Sequence, residues 1–291
     1  MAASGAALPL AIGDGRSRLS LAGAQDKLPV LVEGEAILLP EGDAPSSHIL
    51  KLPNRDFAHL PANEVLVSML ARAVGLRVPD ARLVALGQER ACLVRRYDRR
   101  RGDDGKLVRI HQEDLCQALG LGHATKYEQE GGPSLVDCFE LVSRASAEPL
   151  TDCEQLLRWQ AFNAAVGNAD GHAKNLSLVL EGRIIRLAPF YDLVCTRAYP
   201  GLDRRLAMRV GEVADPGQIR GRDWSRLADA IGVGRRYLLD LVREMVGSVR
   251  ASLDESAEDF REHYGDSPAV QMVVGAVRAQ ALRLSEQLSV D

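Results

Sequence analysis

Asn168-Ala169-Asp170-Gly171-His172-Ala173-Lys174-Asn175 sets a carboxylate and an amide five residues apart, and Tyr191-Asp192 follows beyond two apolar runs. Phosphoryl transfer needs parts of this kind. A carboxylate orients the attacking hydroxyl, while an amide oxygen and a second carboxylate hold the Mg²⁺ ions that neutralise the charge on nucleotide phosphates. Between Asn175 and Asp192 the chain reads Leu176 to Leu180, then Glu181-Gly182-Arg183, then Ile184 to Leu187, which predicts a hairpin turning at Glu-Gly. That hairpin would return Asp192 toward Asp170 and Asn175. Taken alone, an Asp and an Asn at this spacing also suit an ordinary capped loop, because both residues favour turns.

The upstream half supplies further pieces. Ser20-Leu21-Ala22-Gly23-Ala24-Gln25-Asp26-Lys27 is a small-residue turn leading into the apolar run Leu28 to Val32, and Gly23 between two alanines lets backbone N–H groups approach phosphate oxygens. The same residues also read as a plain turn before a strand. His48-Ile49-Leu50-Lys51-Leu52-Pro53 is different, since a lysine inside a strand-like apolar run needs either a route to water or a partner. In kinases such a lysine contacts nucleotide phosphates and pairs with a helix glutamate. Asn63-Glu64 opens a periodic segment, Val65, Leu66, Met69, Leu70, Ala73 and Val74, that predicts a helix ending at Gly75. Glu64 is the candidate partner for Lys51; as an acid in a first helical turn it also suits the helix dipole.

Composition narrows the class. A chain of 291 residues with 46% hydrophobic and 26% charged side chains can bury one large or two moderate cores. With 36 basic against 40 acidic residues, the formal charge of −4 gives no global attraction to nucleic acid or anionic lipid. Local basic clusters stand at Arg95-Arg96, Arg99-Arg100-Arg101 and Arg204-Arg205, and runs of this kind are commonly solvated faces. The five cysteines, Cys92, Cys116, Cys138, Cys153 and Cys195, are odd in number and contain no C-x-x-C, which argues against a disulfide framework or a zinc site and for a reducing compartment. The first residues lack a basic region before an apolar one, and no apolar run approaches ~18 residues, so a cytoplasmic location without membrane attachment is expected.

Strand-like runs at Leu28–Val32, Ala36–Leu39, His48–Leu52, Arg82–Leu86 and Ala91–Tyr97 surround the helix expected over 62–74. Beyond them the pattern turns helical, at Gln112–Leu119, Ser134–Ala145, Asp152–Val166, Arg222–Ile231, Arg235–Leu253 and Ser267–Leu288. The expected fold class is therefore α+β and two-lobed, with a β-rich small lobe and a helical large lobe. The boundaries are an extension over 1–19, a small nucleotide-binding lobe over 20–98 and a large catalytic lobe over 99–291. The polar stretch 99–106 reads as a surface loop, and Pro53 to His59 as a second irregular segment, while His111 and Asp114 read as capping and packing residues at the start of the 112–119 helix.

In order, these motifs resemble the HipA family of bacterial serine/threonine kinases, the toxins of HipA–HipB toxin–antitoxin systems. The resemblance rests on the Ser20–Lys27 and His48–Pro53 motifs, Asn63-Glu64-Val65-Leu66, Val94 to Arg99, Gln112 to Leu119, Gly167 to Asn175 and Pro189 to Asp192. It implies a two-lobed kinase fold that uses ATP and Mg²⁺. Asp170 would be the catalytic carboxylate, Asn175 and Asp192 the Mg²⁺ ligands, and Lys51–Glu64 a structural ion pair. ATP would be held by Ala22, Gly23, Ala24, Gln25, Asp26, Lys27, Lys51, Arg95, Arg96, Tyr97, His172, Lys174, Asn175 and Tyr191. For His172 and Lys174, loop-stabilising hydrogen bonds are an equal alternative. Asp-x-His-x-x-Asn also looks like the catalytic loop of lipid kinases, which leaves the acceptor open.

The resemblance further implies a HipB-like helix-turn-helix antitoxin as partner, contact with DNA only through it, and a translation component such as an aminoacyl-tRNA synthetase as protein substrate, with growth arrest as outcome. Ser20 matches the family position whose phosphorylation silences the kinase, although a serine beside a glycine turn is also an ordinary cap. Only nineteen residues precede Ser20, as in the shorter HipT-type kinases, whose missing N-terminal subdomain comes from a separate small HipS-like protein. Those kinases carry a second serine where this chain has Ala22, and many HipA proteins read Glu-Arg-Phe-Asp-Arg where it has Arg95-Arg96-Tyr97-Asp98-Arg99. The competing readings are a catalytically weak nucleotide-binding regulatory module and a small-molecule kinase.

Overall fold

The computed structural model describes residues 25–42, 44–122 and 125–289. The first part is a five-stranded antiparallel sheet in the order β2-β1-β3-β5-β4, built from β1 (Lys27–Glu33), β2 (Ala36–Leu38), β3 (His48–Lys51), β4 (Ala81–Leu86) and β5 (Glu89–Arg95). Helix α1 (Leu60–Ala73) lies between β3 and β4 in sequence and packs on one face of this sheet. Strand alternation decides what each face buries. Along β5, Cys92 and Val94 join the main core with α1, while Ala91 and Leu93 join Val30 and Leu50 in a separate apolar cluster on the opposite face. Lys51 follows Leu50, so it points to the α1 side.

Helix α1 starts at Leu60-Pro61, where proline suits a first turn that has no amide partners to offer. It ends at Gly75, whose φ of 84° carries the chain out of the helix. Val65, Leu66, Val67, Leu70 and Ala71 are buried on it, and each large side chain contributes about 1.5–3 kcal/mol of burial.

Residues 96–98, the hinge between the lobes, lead from β5 into a two-stranded hairpin, β6 (Arg99–Arg101) and β7 (Leu107–Arg109), where the sequence predicts only a surface loop. The helix expected over Gln112–Leu119 is also corrected. His111–Asp114 is a strand, β8, and only Leu115–Ala118 (α2) is helical. Asp114 caps α2, accepting from the Gln117 amide at 2.9 Å, whereas His111 is in the strand. Helices α3 (Leu135–Ala145) and α4 (Pro149–Val166) precede the hairpin β9 (Ser177–Glu181) and β10 (Ile184–Leu187), which adds to β8 as a three-stranded sheet in the order β10-β9-β8. Helices α5 (Gly221–Ala230), α6 (Arg235–Tyr264) and α7 (Pro268–Gln287) close the large lobe. α4 begins three residues before the predicted Asp152, and α6 runs eleven residues beyond Leu253. The main core is continuous from α1 into α4, α6 and α7. No helix among the described residues is long and apolar enough to cross a membrane.

Candidate active site

Three elements meet at Lys51. Its ammonium, at the end of β3, hydrogen-bonds both the Glu64 carboxylate of α1 and Asp192 Oδ1 on the segment after β10; because α1 starts at Leu60, Glu64 lies past its first turn, not in it as the sequence suggests. Lys27, at the start of β1, donates to the other Asp192 oxygen at 2.9 Å. Lys51 and Glu64 are both buried. Burial alone pulls the lysine pKa down, but Asp192 and then Glu64 outweigh it and hold the ammonium well above its ordinary value. Burial likewise pushes Asp192 up, and Lys51 and Lys27 more than reverse the push, keeping it an ionised carboxylate. For Glu64, burial exceeds the pull of Lys51 and its pKa is raised. Asp192 has a left-handed backbone, φ 56°, a conformation that Asp tolerates better than most side chains and that is concentrated at functional sites.

The loop 167–175 is built on the end of α4. Gly167 takes the left-handed conformation that stops the helix, and Asn168 Oδ1 accepts from the Asp170 amide at 3.1 Å. The Thr196 hydroxyl, at the start of the short 3-10 helix Thr196–Ala198, braces the same loop by accepting from the Ala169 amide at 2.8 Å and donating to the Gly167 carbonyl at 2.9 Å. Gly171 is required by close approach, since a Cβ there would lie 2.8 Å from Asn163 Nδ2 and 3.3 Å from the Trp159 ring. Asp170 Oδ1 accepts from the Tyr127 hydroxyl at 2.6 Å. Asn175 Oδ1 accepts from the His172 amide at 3.1 Å, and its Nδ2 lies 3.4 Å from Asp192 Oδ2. The β9–β10 hairpin therefore does bring Asp192 back against Asn175.

Between the lobes is a cleft of mixed lining. Ile49, Pro79 and Val94 give it apolar surface beside Tyr97 and Tyr191, Lys27, Lys51 and Asp192 bring charge, and Arg95, Arg96, Asp98 and Gln112 complete the wall. The two tyrosine rings stack at 5.8 Å with 24° between their planes. Tyr191 is fixed by hydrogen bonds to Ser177 Oγ at 2.8 Å and to the Lys174 carbonyl at 2.7 Å. Tyr97 bonds Gln112, and burial pushes its pKa up to about 12. A planar heterocycle suits the aromatic and apolar part of this lining, and phosphates suit its lysines.

Several residues expected to hold nucleotide have protein partners of their own, Arg95 and Arg96 among them although both line the cleft. The Arg95 side chain is exposed, 3.8 Å from Asp80, and Arg96 forks onto Asp98 at 2.9 and 2.6 Å, so both guanidiniums face carboxylates. His172 is buried with its ring edge-on to Tyr127 at 5.3 Å; burial, then the charge of Lys126, lowers its pKa to about 3. It is neutral and brings no positive charge to a phosphate. Gln25 Nε2 donates to the Leu52 carbonyl and the Asp26 carbonyl accepts from the Leu52 amide, both at 2.9 Å, tying the start of β1 to the end of β3. Ser20, Ala22, Gly23 and Ala24 lie outside the described residues.

Sequence reasoning missed Tyr127, Thr196 and Asn63. Asn63, fully buried beside Glu64, clasps the backbone of Cys195 with two bonds, Nδ2 to the carbonyl at 3.0 Å and Oδ1 from the amide at 2.8 Å. An asparagine on the apolar face of a helix was the one available signal for it. Among the described residues no three His, Cys, Asp or Glu side chains gather as a metal site. Asn175 turns its Nδ2 to Asp192 and its Oδ1 to the His172 amide, yet that oxygen keeps a second acceptor position and Asp192 a carboxylate open to the cleft, a donor set that suits Mg²⁺, which takes few protein ligands and keeps water and phosphate for the rest.

The family described as the HipA-like C-terminal domain matches residues 19–253. The chain is 42% identical over 280 residues to the putative kinase Y4mE of Sinorhizobium fredii, covering 95% of this chain and 66% of that protein. It is 31% identical over 278 residues to the serine/threonine-protein kinase toxin HipA of Shewanella oneidensis, covering 88% of this chain and 64% of the toxin. It thus spans slightly less than two thirds of the length of these relatives. The solved complex of Shewanella oneidensis HipA, HipB and operator DNA superposes with a TM-score of 0.83 at 28% identity, over 98% of this chain and 70% of the matched one. The Helicobacter pylori proinflammatory kinase CtkA, at 11% identity and a TM-score of 0.54 over 89% and 90% of the two chains, shares the fold, two-lobed and kinase-like.

Proposed function

This chain belongs to the HipA-like C-terminal domain family, and from that premise we propose that it transfers the γ-phosphoryl group of ATP to a serine or threonine of a protein. The observation that carries the reading is the convergence of Lys51, Glu64, Asp192 and Asn175 beside a cleft that Lys27, Lys51 and Asp192 line together with Tyr97, Tyr191 and the apolar Ile49, Pro79 and Val94. Lys51, oriented by Glu64, holds nucleotide phosphate, and Asn175 and Asp192 hold Mg²⁺. When bound, Mg²⁺ supplies charge neutralisation on the phosphates and the leaving oxygen. Asp170 orients the acceptor hydroxyl and takes its proton as the new O–P bond forms, while the bond to the β–γ bridging oxygen breaks and ADP departs.

In its biological role the protein is proposed to act as the toxin of a toxin–antitoxin pair, restrained by a HipB-like helix-turn-helix partner. The supporting observation is its likeness to a toxin whose solved complex contains HipB and operator DNA. An aminoacyl-tRNA synthetase as acceptor, and autophosphorylation of Ser20, are proposed on the same resemblance. A phosphate on Ser20 would add about −1.5 to −2 charge to that motif.

The test is incubation with Mg²⁺ and γ-labelled ATP in a cell extract, followed by mass spectrometry. Wild type should label protein serine or threonine and its own Ser20, and Asp170→Asn should reduce both by at least ~10²-fold while still binding nucleotide, because positioning and electrostatics are most of the catalysis in this chemistry. Equal labelling by wild type and Asp170→Asn would reject the kinase reading.

A further inference from the structure

A second cavity, of about 700 Å³, opens between the outer face of the five-stranded sheet and the β6–β7 hairpin. Its walls carry seven arginines. Two of them, Arg72 and Arg95, reach one carboxylate, Asp80, at 2.9 and 3.8 Å. Arg96 and Arg99 share another, Asp98, each at 2.6 Å. Arg100 lies 3.0 Å from Glu181. Arg82 on β4 and Arg101 on β6 have no carboxylate within ion-pair distance among the described residues, and Arg101 donates only to the Gly105 carbonyl at 2.9 Å. Seven guanidiniums thus face three carboxylates in a chain whose overall charge is negative.

The crowding is felt by neighbours. His48, on the same wall, has its pKa lowered by burial and then by Arg82 and Arg95, and Arg99 is lowered by burial and then by Arg96. The floor includes Val32, Leu93 and Leu107, which offer an apolar surface beneath the cations.

We infer that this arginine-lined cavity is a second ligand site, separate from the interlobe cleft, that binds a small anion carrying two or more phosphates. Arginine matches phosphate oxygens through planar paired donors, and two unpaired guanidiniums with three shared carboxylates leave donors for more than one phosphate group. The cavity volume is that of a small-molecule site. A single phosphate would engage only a fraction of these donors. A nucleic acid would need an extended basic stripe, and the net charge of −4 provides no long-range attraction for one. Arg95 and Arg96 also line the interlobe cleft, so the two cavities share a wall at the hinge.

Titration calorimetry of the full chain with inorganic tripolyphosphate, at about physiological ionic strength, tests the site without relying on kinase activity. Arg82 and Arg101 are exposed, so Arg82→Gln with Arg101→Gln should leave the fold intact. That double variant should bind tripolyphosphate at least ~10-fold more weakly than wild type, the scale of one lost charge-assisted hydrogen bond. Lys51→Ala, which damages the interlobe cleft, should retain the binding, and orthophosphate should bind wild type at least ~10-fold more weakly than tripolyphosphate. The inference is overturned if binding disappears in Lys51→Ala and survives in the double variant, or if orthophosphate binds as tightly as tripolyphosphate. Tighter binding of duplex DNA to the same two arginines would also overturn it, in favour of a nucleic-acid surface.

Discussion

Two aspartates tie the lobes together, one buried and one open to the cleft, and they do so to opposite degrees of completion. Asp152, in the first turn of α4, is fully buried and accepts from five donors: Arg186 Nε and Nη2 at 3.0 Å each, Arg77 at 2.6 Å, the Ser146 hydroxyl at 2.6 Å and the Leu187 amide at 2.8 Å. Arg77 precedes β4 and its carbonyl also accepts from the Phe190 amide at 2.7 Å, so this knot joins the small lobe, α4 and the strand that leads to Asp192. Asp192 is held by two lysines and a distant amide, with a quarter of its side chain exposed to the cleft. A carboxylate offers about four acceptor positions. At Asp152 all are taken, and the group can do nothing but hold. At Asp192 capacity remains on the cleft side, and the left-handed backbone that aims it costs about 1–3 kcal/mol that a purely structural residue has no reason to carry.

Breaking the closed knot should have the largest effect on stability. Asp152→Ala leaves Arg186 and Arg77 facing one another without their carboxylate, at a cost of about 3–5 kcal/mol. Denaturant unfolding should show it as a lower midpoint with an unchanged slope. The acid side follows from the same pairing. Burial raises the Asp152 pKa, but Arg186, Ser146, the Leu187 amide and Arg77 together hold it well below the carboxylate range. Its contribution is therefore complete above the unfolded value near ~4 and is lost as pH falls below it. Asp152→Asn should flatten the loss of stability between about pH 5 and pH 2. An acid limb of the same slope in both proteins would contradict this assignment.

Breaking the open knot should spare the fold and remove the chemistry. Asp192→Asn keeps the size and one acceptor oxygen but loses the charge that Mg²⁺ needs, so phosphoryl transfer should fall by at least ~10²-fold, about 2.7 kcal/mol. Mg²⁺-dependent nucleotide affinity should weaken with it, while unfolding stability should move by no more than about 1 kcal/mol, because Lys51 keeps Glu64. If Asp192→Asn destabilises the protein as much as Asp152→Ala, the two knots are alike and the contrast between them is wrong.

Local signals in the sequence explain which elements were legible. The β9–β10 hairpin and α1 announce themselves, one by alternation around a glycine turn and the other by apolar spacing between Pro61 and Gly75. β8 is polar, His111-Gln112-Glu113-Asp114, and is a strand because β9 offers it a partner; the real capping box at Asp114 and Gln117 made the whole stretch look helical. The arginines of β6 hide a hairpin behind the composition of a loop, although Asp104-Gly105 was a turn signal. For the candidate site, Lys51, Glu64, Asn175 and Asp192, which the structure brings together, could be singled out because each motif is local. Asn63 and Thr196 were not, since each matters through backbone groups far away in sequence, on Cys195 for one and on Gly167 and Ala169 for the other.

The smallest effect belongs to the carboxylate that stands between the two extremes. Asp170 is partly exposed, and the Tyr127 hydroxyl donates to its Oδ1 at 2.6 Å from a ring packed against His172. That bond turns one oxygen inward and leaves the carboxylate pointing in a defined direction, as the five bonds do at Asp152, without filling every acceptor position. Tyr127→Phe keeps the ring and its packing and removes only the donor. A hydrogen bond to a charged group is worth about 1.5–3 kcal/mol when made, and part of it is regained from water at an exposed carboxylate. Transfer should therefore slow by about tenfold, some 1.4 kcal/mol. The loss should fall on kcat, with KM for ATP unchanged, because Tyr127 is not among the residues that line the interlobe cleft. A faster enzyme would show instead that Tyr127 occupies the oxygen the acceptor hydroxyl needs, and Asp170 would then belong with the closed knot until substrate displaces the phenol.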